Sequence, residues 1–181
     1  VADFVWITPR LAIGSVPDAS WLPAMRRAGI TDVLDLRGEP AAHERPMPEV
    51  YGGTGIRYFY LPMLDRGGPQ PPSAYQKGVA LIRAVLAQPG RKILVHCAAG
   101  VSRSPSMAYA YLRSLGQSPQ EAWNMVTRAR PQADDQYVAS AEASVRLGTG
   151  SPGTSLGLFA VIAVGAYALY VASVDPVVIL K

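Results

Sequence analysis

The apolar positions change their spacing several times along the chain, and each change marks an element. Phe4-Val5-Trp6-Ile7 and Leu11-Ala12-Ile13-Gly14 flank Thr8-Pro9-Arg10, which predicts an opening hairpin. Asp18 is placed to cap a short helix that Gly29 ends. Asp32-Val33-Leu34-Asp35-Leu36 reads as the next strand, and a connection rich in Pro and Gly, from Gly38 to Gly55, leads to a strand from Ile56 to Pro62. Ser73 and Gln76 have capping-box spacing before a helix from Ala74 to Ala87, whose Val79, Ile82, Val85 and Leu86 share one face. Gly90 stops it, and Lys92 to His96 forms an apolar strand. A helix from Pro105 to Leu115 turns Met107, Ala108, Tyr111 and Leu112 inward and ends at Gly116. Ser118-Pro119-Gln120-Glu121 is a second capping box, opening a helix with Ala122, Trp123, Val126 and Ala129 on one face, and a last helix runs from Asp134 to Leu147. Strands alternating with helices predict an α/β fold, a mostly parallel central sheet flanked by helices on both sides.

The pattern breaks after Arg146. Residues 148–155 are rich in Gly, Ser and Thr and read as a linker. Leu156 to Val174 then runs nineteen residues without a charge. As a helix it rises about 28 Å, close to the hydrocarbon thickness of a bilayer. This C-terminal apolar helix is read as a transmembrane span over an apolar core helix or strand pair, with residues 175–181 as a short tail beyond it.

Chemistry concentrates between the strand ending at His96 and the helix beginning near Ser104. Cys97 and five loop residues, Ala98, Ala99, Gly100, Val101 and Ser102, precede Arg103. So short a passage from strand to helix bends the backbone into an arc whose N–H groups converge on one point, a nest for an anion. The helix N-terminus adds its positive end there. The same features favour a thiolate, which makes Cys97 a candidate nucleophile rather than a small buried apolar residue. Arg103 supplies a planar fork for two phosphoryl oxygens. Gly100 permits a positive φ, and Ser104 brings a hydroxyl that can donate to the sulfur.

His96-Cys97, then Gly100, then Arg103-Ser104 resembles the signature of the cysteine-based protein phosphatases, and Ala99 to Ser104 is most similar to the dual-specificity class. The resemblance extends over about residues 4 to 146, through Ile7 to Ser15, Gly29 to Leu36 and the Arg130-Pro131 pair. It implies a protein tyrosine phosphatase-like catalytic domain over residues 1–147. It also implies a general acid about 32 residues before the cysteine, after a Leu-Pro-x-x-Asp run; Asp65 fits that position. Asp65 follows a strand and precedes Arg66-Gly67-Gly68, at the edge where α/β sites gather; the alternative is a solvated acid paired with Arg66. In such enzymes the residue at His96 orients the loop and tunes the thiol, a role compatible with that of a satisfied core histidine. The implied reaction has two steps: Cys97 attacks phosphorus while Arg103 and the loop amides hold the oxygens, and Asp65 protonates the leaving group. Water then hydrolyses the phosphocysteine. Where the family often has proline, asparagine and an aromatic after the Arg-Pro pair, this chain has Ala133-Asp134-Asp135-Gln136-Tyr137, a departure expected to affect packing and leave catalysis intact.

Composition narrows the setting. Cys97 is the single cysteine, so no intramolecular disulfide forms and the thiol needs a reducing compartment, which suits a catalytic domain facing the cytosol. His43, His96 and Cys97 lack ligand spacing, so neither metal nor other cofactor is implied. The net charge of +4 favours phosphorylated partners, but basic residues without aromatic interleaving do not suggest nucleic acid. Small, uncharged Ala98, Ala99 and Val101 favour phosphotyrosine, phosphoserine and phosphothreonine in proteins. The alternatives are a phospholipid phosphatase acting on phosphatidylglycerophosphate or a phosphoinositide, and a pseudophosphatase that binds phosphate without turning it over.

Overall fold

A computed structural model of the 181-residue chain describes residues 2–38, 46–148 and 177–179. The opening hairpin forms from β1 (Phe4–Thr8) and β2 (Leu11–Gly14), and the Thr8 hydroxyl accepts the Leu11 N–H at 3.0 Å across its turn. The Asp18 carboxylate accepts the Ser20 N–H at 2.7 Å and opens a 3-10 turn that runs into α1 (Leu22–Ala28). Gly29 ends α1 at φ 76°, the left-handed conformation that glycine adopts without steric cost. The chain continues through β3 (Asp32–Arg37), a 3-10 turn at Pro48–Tyr51, β4 (Arg57–Met63), α2 (Pro72–Leu86) and β5 (Ile93–His96). Then come α3 (Arg103–Ser114), α4 (Pro119–Ala129), α5 (Val138–Gly148) and β6 (Val177–Ile179).

The strand order is β1-β2-β5-β3-β4-β6. The sheet is mixed, which corrects the expectation of a mostly parallel one: β1 runs antiparallel to β2, because the two-residue link Pro9-Arg10 can only reverse direction, while the remaining pairs are parallel. Gly14, His96, Asp35 and Tyr60 stand in register across β2, β5, β3 and β4, so the loops leaving these strands emerge on one edge. Side chains alternate between two cores, as the period of a strand requires. Leu34, Leu36, Phe59, Leu61, Ile93 and Val95 face the layer containing α2, α3 and α5, whereas Val33, Tyr58, Tyr60 and Leu94 face Trp21, Met25 and Tyr51. From Arg103 to Leu112, α3 is buried on every side, which makes it the central helix. Arg113 of α3 pairs with Glu142 of α5 at 2.8 Å, and these hydrogen bonds hold the Glu142 carboxyl down at about 2.

Several boundaries differ from expectation. The capping box at Ser73 does not form: α2 starts at Pro72, whose preset φ suits the first helical position, so Ser73 lies inside the first turn. The box at Ser118 does form, with Ser118 and Glu121 satisfying each other's backbone N–H groups. Residues Asp134 to Tyr137 form a turn, and α5 begins only at Val138.

The uncharged run at 156–174 lies outside the described residues, and among the described residues no helix is long and apolar enough to cross a membrane. Val177–Ile179 lies parallel to β4, Val177 opposite Tyr58 and Ile179 opposite Tyr60.

On the face of the sheet opposite α3, a charged cluster ties three strands together. Arg37 forks onto Asp35 through Nε at 3.0 Å and Nη2 at 2.7 Å, and the Tyr58 hydroxyl donates to Asp35 Oδ2 at 2.7 Å. Burial alone would raise the Asp35 carboxyl, but the charge-assisted hydrogen bonds from Arg37 and the Tyr58 hydroxyl hold it below its ordinary value. His96 Nδ1 lies 3.2 Å from the Cys97 carbonyl, which can only accept, so Nδ1 carries the ring proton. Its buried Nε2 has no hydrogen-bond partner among the described residues, a tolerable state for a lone pair and a costly one for N–H. Burial therefore pushes His96 below its ordinary 6.5 and keeps it neutral.

Because the unfolded chain takes up this proton more readily than the native one, stability is complete above pH 6.5 and declines as pH falls. The expected slope approaches about 1.4 kcal/mol per pH unit between roughly pH 6 and 5. Urea denaturation across that range should show the slope in the native chain and a flatter one in His96→Gln; equal slopes would place the protonation elsewhere.

Candidate active site

The loop from Cys97 to Ser102 owes its shape to hydrogen bonds made on its outer side. The Ala98 carbonyl accepts the Val16 N–H at 2.9 Å, and the Ala99 carbonyl accepts Arg130 Nη2 at 3.0 Å. The Gly100 carbonyl accepts Arg130 Nε at 2.8 Å, and the Val101 carbonyl accepts the Asp134 N–H at 2.9 Å. In a planar trans peptide the N–H points opposite to the C=O. Four consecutive carbonyls drawn outward therefore turn the N–H groups of Ala99, Gly100, Val101 and Ser102 toward the concave side. The Gly100 N–H reaches Cys97 Sγ at 3.3 Å. Burial of the thiol is nearly complete, with 2% of Cys97 exposed at the floor of the cup.

Two glycines permit this curvature. Gly100 has φ 70°, and a Cβ placed on it would lie 2.5 Å from the Gly14 carbonyl carbon. A Cβ on Gly14 would lie 2.5 Å from the Asp3 carbonyl oxygen. The end of β2 and the loop thus approach to a distance that side chains forbid. Asp3 also grips Arg130 through both carboxylate oxygens, at 2.6 and 2.7 Å, which fixes the guanidinium against the loop. That pairing holds Asp3 below the ordinary carboxylate range.

Arg103 begins α3 and is 1% exposed. Its Nη1 donates to the Met63 carbonyl at the end of β4, and its Nη2 to Asp65 Oδ2, each at 3.0 Å. Asp65, 42% exposed, is thus placed beside the loop by Arg103, and its other oxygen accepts the Tyr137 hydroxyl at 2.7 Å. Ser104 Oγ lies 3.6 Å from Cys97 Sγ and 3.3 Å from the Gly14 carbonyl, so its one proton has two acceptors in reach. Ser102 donates to Asp134 Oδ2 at 3.3 Å, bracing the loop from its side chain as well. His96 lies below the cup and points into the Asp35 cluster, at 3.8 Å from Asp35 Oδ1.

Of the residues expected at the site, Cys97 to Ser102 form the loop, Arg103 and Ser104 open α3, His96 ends β5 and Asp65 lies on the turn after β4. Val16, Arg130, Asp3, Asp134 and Tyr137 also belong to the arrangement, although the sequence reading gave none of them a role there. The Arg130-Pro131 pair enters the sequence reading only as part of the family resemblance. The departure at 133–137 was expected to touch packing alone, yet Asp134 and Tyr137 contact the loop and the acid. The substitutions themselves were the available signal, because both put a polar group where loop and acid converge. A sulfur facing inward amides, with a guanidinium and a carboxylic acid alongside, can bind a tetrahedral dianion, attack it and deliver a proton.

A family model for the dual specificity phosphatase catalytic domain matches residues 11–138, which include Asp65 and His96 to Ser104. The chain is 42% identical over 113 residues to dual specificity protein phosphatase 26 of Homo sapiens, covering 61% of this chain and 50% of that protein. It is 32% identical over 130 residues to dual specificity protein phosphatase 12 of Mus musculus, covering 71% of this chain and 37% of that one. It thus spans half or less of the length of these curated relatives. In fold it is similar to the crystal structure of PTPMT1, with a TM-score of 0.69 at 19% identity over 92% of this chain and 99% of that one. With a family model matched across most of its length, the chain belongs to the dual-specificity phosphatase family.

Proposed function

We propose that this chain hydrolyses phosphate monoesters on tyrosine, serine and threonine side chains of proteins, by way of a phosphocysteine. The observation that carries this reading is the cup itself: Cys97 Sγ takes the Gly100 N–H at 3.3 Å while Arg103 joins the cup to Asp65 at 3.0 Å. Residues 1–147 form the proposed catalytic unit. In the first step the Cys97 thiolate forms a bond to phosphorus on the side opposite the leaving oxygen. The amides of Ala98 to Ser102 and the Arg103 fork hold the three equatorial oxygens, whose charge grows in the transition state. The phosphorus–oxygen bond breaks as Asp65 gives its proton to the leaving oxygen. In the second step Asp65, now a carboxylate, takes a proton from water as that water attacks the phosphocysteine. Ser104 donates to the sulfur as it departs, and inorganic phosphate leaves.

His96 supports this chemistry from below. As a neutral ring it fixes the Cys97 carbonyl through Nδ1, and the Asp35 charge beneath it is matched by Arg37, so no uncompensated anion opposes the thiolate. Small Ala98, Ala99 and Val101 leave the rim of the cup uncharged, which supports a phosphoprotein substrate over a highly charged inositol headgroup. A solved structure similar in fold, with a TM-score of 0.70 at 21% identity, is titled PTPMT1 in complex with PI(5)P, which makes a phospholipid the comparison substrate to include.

Rapid quenching during turnover of an aryl phosphate should trap phosphate on Cys97. Cys97→Ser should abolish turnover while retaining tungstate binding, and Arg103→Lys should lose about 10²- to 10³-fold in kcat. Binding of phosphate with no release of alcohol by the native chain would instead identify a pseudophosphatase. Turnover of phosphopeptides should exceed that of vesicles carrying phosphatidylinositol 5-phosphate or phosphatidylglycerophosphate; the reverse order would assign a lipid substrate. Gly100→Ala should fail in catalysis even where the chain folds, since its methyl group meets the Gly14 backbone at 2.5 Å and forces the amides out of line.

A further inference from the structure

Tyr137 stands just before α5 with 1% of its surface exposed, yet its hydroxyl reaches out of the core to Asp65 Oδ1 at 2.7 Å. The two oxygens of Asp65 are thereby divided: Oδ1 belongs to Tyr137 and Oδ2 to Arg103. Tyr137 is itself held from several directions. Gln136 Nε2 donates to its hydroxyl at 3.3 Å, and the Tyr75 hydroxyl donates to its carbonyl at 3.2 Å. The Tyr75 oxygen also lies 3.0 Å from Ser106 Oγ, and Ser106 donates to the Arg103 carbonyl at 2.9 Å. Acid and cation are thus joined twice, directly by their ion pair and indirectly through Tyr137, Tyr75 and Ser106. The far end of the acid turn is also tied to α5, where the Gln70 N–H donates to Ser140 Oγ at 3.1 Å.

We propose that Tyr137 is a positioning residue for the general acid, anchoring Oδ1 so that Oδ2 is the oxygen that carries and delivers the proton. This rests on the phosphatase reading with Asp65 as the acid. Phosphate entering the cup takes over the Arg103 fork and releases Oδ2 at the place where the leaving oxygen arrives. When Asp65 is protonated, Oδ1 is its carbonyl oxygen and still accepts from Tyr137, so the hydrogen bond persists and the proton resides on Oδ2. As sulfur bonds to phosphorus and the phosphorus–oxygen bond breaks, that proton moves to the leaving oxygen. The Tyr137 proton stays where it is. Burial and the Asp65 carboxylate push the Tyr137 phenol upward, which keeps it a donor throughout.

General-acid assistance matters most when the leaving group is basic, and it contributes about 10²- to 10⁴-fold in enzymes that use it. Tyr137→Phe keeps the ring and removes the hydroxyl. On a series of aryl phosphates it should lose about tenfold in kcat for phenyl phosphate and less than about twofold for a strongly activated fluorinated coumarin phosphate, a part of the whole acid effect. KM should change little, and the dependence of log kcat on leaving-group basicity should steepen. Asp65→Asn should give the same signature more strongly, and Tyr137→Phe should add nothing in that background, as expected for two residues acting through one proton. With 3-fluorotyrosine at position 137 the native slope should return. A uniform loss across the series, or a further loss in the Asp65→Asn background, would overturn the proposal. If Asp65→Asn leaves the slope unchanged, the acid assignment itself fails. If only Tyr137→Phe leaves it unchanged, the acid stands and the positioning role falls.

Discussion

The planarity of four successive peptides underlies the whole site. Each loop carbonyl from Ala98 to Val101 is occupied on the outside, and a planar amide then has no choice about where its N–H points. The groups that occupy them come from the turn after β2, the end of α4 and the turn before α5. Their convergence depends on the packing of the entire domain. Preorganisation of this kind is what makes amide donors effective toward a developing anion, because they need no rearrangement during the reaction. Arg130 has the largest share, meeting two carbonyls while Asp3 neutralises its charge on the far side.

Charge is arranged in layers around the sulfur. At the level of the cup, Arg103 and Asp65 form a pair that phosphate can enter and rearrange. Below it, His96 is kept neutral by burial, and deeper still Asp35 and Arg37 cancel each other. A buried ion pair adds little net stability compared with apolar packing. Here it lets a polar group at the end of β3 coexist with the sulfur without setting an unbalanced negative charge beneath it. The cluster also joins β3 to β4 through Tyr58 and adjoins β5 through His96, so the strands that launch the loop and the acid turn keep a fixed spacing.

Much of the fold was readable from local signals because those signals have local causes. Gly29 and the Ser118 capping box mark helix ends through backbone chemistry that a few residues determine. The alternation of Val33, Leu34 and Leu36 or of Tyr58, Phe59 and Leu61 shows which side chains part to either face. The first capping box misled because Pro71-Pro72 offered an earlier start. The start of α5 was misplaced because Asp134 gives its backbone N–H to Val101, a partner 33 residues away that no local window includes. The pairing of Val177–Ile179 with β4 is likewise a long-range contact that no local window includes.

What the sequence determined by itself was the inventory and its order: a cysteine at a strand end, a glycine in the arc, an arginine at a helix start and an acid after the neighbouring strand. These are adjacent in the chain or follow from the rule that parallel strands send their loops to one edge. Only the tertiary structure decided which partners hold these groups in place. Val16, Asp3, Arg130, Asp134 and Tyr137 act from distant positions, because a hydrogen bond depends on separation in space to within a few tenths of an ångström and is indifferent to separation along the chain.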